Sequence, residues 1–102
     1  MGRRQSPEAR GPVTRDEIDR WLVEAYPDHG FLLADGFEDA FVGVVAGMQR
    51  EPVACYDRAR CIAVLVARDG MTEEDAEEYF VFNVEGAWVG DRTPVFVVAF
   101  GS

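Results

Sequence analysis

A chain of 102 residues can build one hydrophobic core but not two. Its 48% hydrophobic content is that of a folded protein, and its net charge of −9, from 19 acids against 10 basic residues, argues against nucleic acid or an anionic membrane as a direct partner. No apolar run nears the ~20 residues needed to span a bilayer.

Every basic residue is arginine, a usage that points to a GC-rich bacterial, phage or haloarchaeal genome. The opening "MGRRQS" leads into no apolar stretch, so the expectation is a cytoplasmic chain without a secretory signal. The same residues match a myristoylation pattern at Gly2 and Ser6, which matters only in a eukaryotic host. Residues 1–12 hold Arg3, Arg4 and Arg10 against Glu8, with Pro7, Gly11 and Pro12, and read as a basic, flexible tail. Residues 13–102 form the single domain.

"TRDEIDRWLVEAYP" predicts a first helix. Thr14 and Glu17 have capping-box spacing, Ile18, Trp21, Leu22 and Ala25 share one face, and Pro27 ends the pattern. A connector follows, with an extended piece at 31–34 and a turn at Asp35-Gly36. Residues 37–48 fit either a helix capped by Asp35 or a strand. Gly43, Gly47 and the clustered valines favour the strand. "QREP" then turns the chain into a second strand, "VACY", to close a hairpin.

Asp57 is placed to cap a helix whose core face is Cys61, Ile62, Leu65 and Val66, with Gly70 just past its end. Thr72 caps the next helix, which carries Glu73, Glu74 and Asp75 in its first turn. Ala76, Tyr79, Phe80, Asn83, Val84 and Ala87 follow its period, and Gly86 is a candidate left-handed stop. "PVFVVAF" reads as a strand apolar on both faces, hence internal to the sheet. The order α-β-β-α-α-β predicts an α+β fold: a three-stranded antiparallel sheet packed by helices on one face.

The densest unusual stretch is "FNVEGAWVGDRTP" at 82–94. Asn83 falls on the inward face, where a buried amide must find partners. It is expected to tie a loop carbonyl, such that Asn83→Leu destabilises the domain. Gly86 and Gly90 bracket Trp88, and Pro94 opens the last strand. An exposed Trp88 is a candidate partner anchor.

"DGFEDAFVG" at 35–43, "VACYDRARCIAVLVARDGMTEEDAEEYF" at 53–80 and the 82–94 block together resemble a family of small uncharacterised proteins of phages, prophages and bacteria. The resemblance spans roughly residues 30–98 and is most specific in the last block. It implies phage or bacterial origin and a shared fold. It carries no reaction onto Asn83, Trp88 or Thr93.

The catalytic inventory is thin. Ser6 and Ser102 are near the termini, and His29 is the sole histidine, so a serine triad is not credible. Cys55 with His29 lacks anything nearby to activate the thiol. Cys55 and Cys61 have neither zinc nor redox spacing and are expected to be reduced and buried. Asp35, Glu38 and Asp39 lack the EF-hand spacing, so neither metal nor cofactor is expected.

The two central helices have helix-turn-helix spacing, but the second opens with Glu73, Glu74, Asp75, Glu77 and Glu78, which would meet phosphates with five acids. Those acids suit a basic partner protein instead. The expectation is therefore an accessory protein that binds another protein, such as a basic nucleic-acid-binding or host-defence protein, through Glu73, Glu74, Asp75, Glu77, Glu78 and Trp88. The alternative is a small-molecule binder or enzyme with a pocket at Asp35, Tyr56, Asn83 and Trp88.

Overall fold

Helix α1, Arg15–Ala25, begins where the capping box places it. Thr14 Oγ1 accepts from the Glu17 N–H at 3.2 Å, and the Glu17 carboxylate accepts from the Thr14 N–H at 3.0 Å. The computed structural model describes residues 12–47, 50–87 and 90–101. Gly2, Arg3, Arg4, Ser6 and Arg10 of the expected tail, Gln49 of the expected turn, Trp88 and Ser102 lie outside the described residues. Of the predicted α1 face, Ile18 and Leu22 are buried, while Trp21 and Ala25 are exposed. Trp21 still meets Phe41 edge-on, with ring centroids 6.1 Å apart.

The connector turns at Asp35-Gly36 as expected, where Gly36 takes a φ of 92°. A short 3₁₀ turn, Glu38–Ala40, leads into strand β1, Phe41–Gly47. Strand β2 runs Arg50–Asp57, so "REP" belongs to the strand and not to the turn. The two strands pair antiparallel, with Phe41 opposite Tyr56 and Val44 opposite Ala54, and β1 bulges near Gly43.

Helix α2, Arg58–Asp69, is capped by Asp57, whose carboxylate accepts from the Arg60 N–H at 3.2 Å. It ends at Gly70, which is left-handed at φ 71°. Cys61, Ile62 and Leu65 are buried; Val66, placed on the same face by spacing, is exposed. Helix α3, Glu73–Asn83, follows at once. It stops three residues short of Gly86, and Gly86 sits in a second 3₁₀ turn, Glu85–Ala87, instead of forming a left-handed stop.

The last strand departs from the expectation in two ways. Strand β3, Val95–Val97, lies at the edge of the sheet, which is ordered β1-β2-β3, and it pairs with β2 in parallel. The sheet is therefore mixed, not antiparallel. A parallel pair needs a crossover connection, and the whole stretch from α2 to Pro94 supplies one. The internal strand is β2. Its Val53, Ala54, Cys55 and Tyr56 are all buried, so both of its faces are covered and not one alone.

Ala54 and Tyr56 join Phe37, Cys61, Leu65, Ala76 and Phe80 in the main core cluster. Aromatic rings form a continuous series through it. Phe41 meets Tyr56 at 5.6 Å, Tyr56 stacks on Phe96 at 5.6 Å, Phe96 meets Phe80 at 5.1 Å and Phe80 meets Phe37 at 6.0 Å. Each such pair adds roughly 0.5–1.5 kcal/mol beyond the burial of its area. This series fixes α3 against the sheet.

Candidate functional site

Helix α3 owes its start to Thr72, whose Oγ1 accepts from the Asp75 N–H at 3.1 Å, and to Glu73, Glu74 and Asp75 in the favourable field of its first turn. It is held to the core by Ala76 and Phe80, one turn apart and both fully buried. All five predicted acids are exposed. They are not equivalent. The Arg58 guanidinium donates to both oxygens of Glu77 at 3.1 Å, donates to Glu85 at 3.2 Å and lies 5.2 Å over the Phe80 ring. These bonds, that with Glu77 foremost, raise the Arg58 pKa still further. Glu77 thus joins α3 to α2. Among the described residues, Glu73, Glu74, Asp75 and Glu78 have no ion-pair partner.

The apolar run Tyr79-Phe80-Val81-Phe82 covers about 300° of a helix, so no single buried face can absorb it. Phe80 goes inward. Tyr79 and Val81 are each 42% exposed and Phe82 is 72% exposed. Glu74, Glu78 and Phe82 follow one another at i, i+4 spacing along the side opposite Ala76 and Phe80. The sequence pattern points to Trp88, not Phe82, as the exposed aromatic. Four consecutive apolar residues in a helix were the signal that could have found it.

Of the alternative pocket, Tyr56, Asp35 and Asn83 are placed separately, and Trp88 lies outside the described residues. Tyr56 is buried, and its hydroxyl accepts from the Ala34 N–H at 2.8 Å. Burial pushes its pKa up to about 12. Asp35 is exposed and ion-paired with Arg15. Asn83 is exposed as well, contrary to its predicted inward position. Its Nδ2 donates to the Tyr79 carbonyl at 3.2 Å, one turn back in its own helix, and among the described residues it bonds to no loop. An open groove of about 660 Å³ includes neither Tyr56, Asp35 nor Asn83; among the described residues it is lined by Arg50, Glu51, Gly90, Asp91, Thr93, Pro94 and Val95.

His29 is half-buried and bridges the connector to β2. Its Nε2 lies 3.1 Å from the Pro52 carbonyl and its Nδ1 3.6 Å from Glu51. Cys55 and Cys61 are free and buried. Burial pushes both thiols up, with Asp57 adding to the shift, and Cys61 reaches about 12. Neither is a thiolate nucleophile at neutral pH. Among the described residues, no group of three or more His, Cys, Asp or Glu could hold a metal ion, and no helix is long and apolar enough to cross a membrane. Comparison of the chain with protein-family models, with curated proteins and with solved structures found no match in any of the three.

Proposed function

We propose that this protein is a small acidic accessory factor of phage or bacterial origin that acts by binding another protein, with the exposed side of α3 as its contact. One observation carries the reading. Glu74, Asp75 and Glu78 are exposed and unneutralised within the described chain, and an exposed aromatic, Phe82, stands in the same helix face. Unpaired surface acids steer a basic partner, and an exposed aromatic is what such a partner can bury. A nucleic-acid-binding protein or a host-defence protein with a basic groove has the matching chemistry. The small-molecule alternative has less support, because Tyr56 is closed off in the core and Asp35 and Asn83 face solvent.

The test compares capture by the wild-type chain with capture by the Glu74→Gln/Asp75→Asn/Glu78→Gln variant, from bacterial lysate at low salt, read by quantitative mass spectrometry. A protein retained by the wild type and lost with the variant is expected. Identical capture profiles would remove α3 as the contact.

A further inference from the structure

We draw no further inference here: the strongest candidate, the exposed apolar segment of Val97, Val98 and Phe100 along and beyond the edge strand β3, carries nothing because nothing in the structure shows what covers it.

Discussion

Tyr56 and Asn83 show how differently two polar residues can matter. The Tyr56 hydroxyl is the acceptor for a buried backbone N–H, that of Ala34. Tyr56→Phe leaves that donor without a partner and should cost about 1–3 kcal/mol, read by chemical denaturation. The same burial sets an alkaline limit. The Tyr56 hydroxyl ordinarily ionises near 10 and in the fold near 12, and the Cys61 thiol moves from 9.0 to about 12. Both fold-state values lie above the unfolded ones, so the stability they contribute is complete below pH 9 and is lost as pH rises toward 12. Melting temperature should fall over that interval, and the fall should be shallower in Tyr56→Phe. A flat profile from pH 9 to 12 would refute it. Asn83→Leu, by contrast, removes, among the described residues, only a bond to the helix's own Tyr79 carbonyl at an exposed site. It should change stability by less than about 0.5 kcal/mol; a loss above 1 kcal/mol would restore an inward role for the amide.

At the scale of elements, Arg58 is the clasp between α2, α3 and the 3₁₀ turn at Glu85–Ala87. Arg58→Met keeps the stem over Phe80 but removes two ion pairs and the cation–π contact. The expected loss is about 1–2 kcal/mol, much of it reproduced by Glu77→Gln, which a double-mutant cycle would read as strong coupling. Additive losses would show that Arg58 and Glu77 act independently. Glu77 is for this reason a poor choice for probing a partner surface. The helices were legible because their signals are local: Thr14, Asp57, Thr72 and Gly70 each act within one turn, and all four hold in the structure. The sheet was less legible because strand order and direction are set by non-local pairing. The apolar run 95–100 looks internal, yet at the edge Val97 and Val98 are simply exposed, while the charged start of "REPVACY" disguised the true central strand. The acids of the candidate surface could be read directly, since exposed charge at a helix start is a sequence property. Phe82 could not be placed until the end of α3 and its buried face were known.

Over the whole molecule, Arg15, Arg58 and Arg68 are tied into ion pairs, while among the described residues Glu74, Asp75 and Glu78 of α3 have no ion-pair partner, so no such pair offsets their negative field. Such a field acts on a partner before contact. It accelerates encounter and fades once salt shortens the Debye length to about 8 Å at physiological ionic strength. The most direct test is the association rate constant with the captured partner, measured by stopped flow across a series of salt concentrations for the wild type and for Glu74→Gln/Asp75→Asn/Glu78→Gln. The account predicts a steep fall with salt for the wild type. It predicts a slower and flatter profile for the variant, converging with the wild type at high salt, with dissociation rates little changed. Wild-type and variant profiles that coincide at every salt concentration would contradict it.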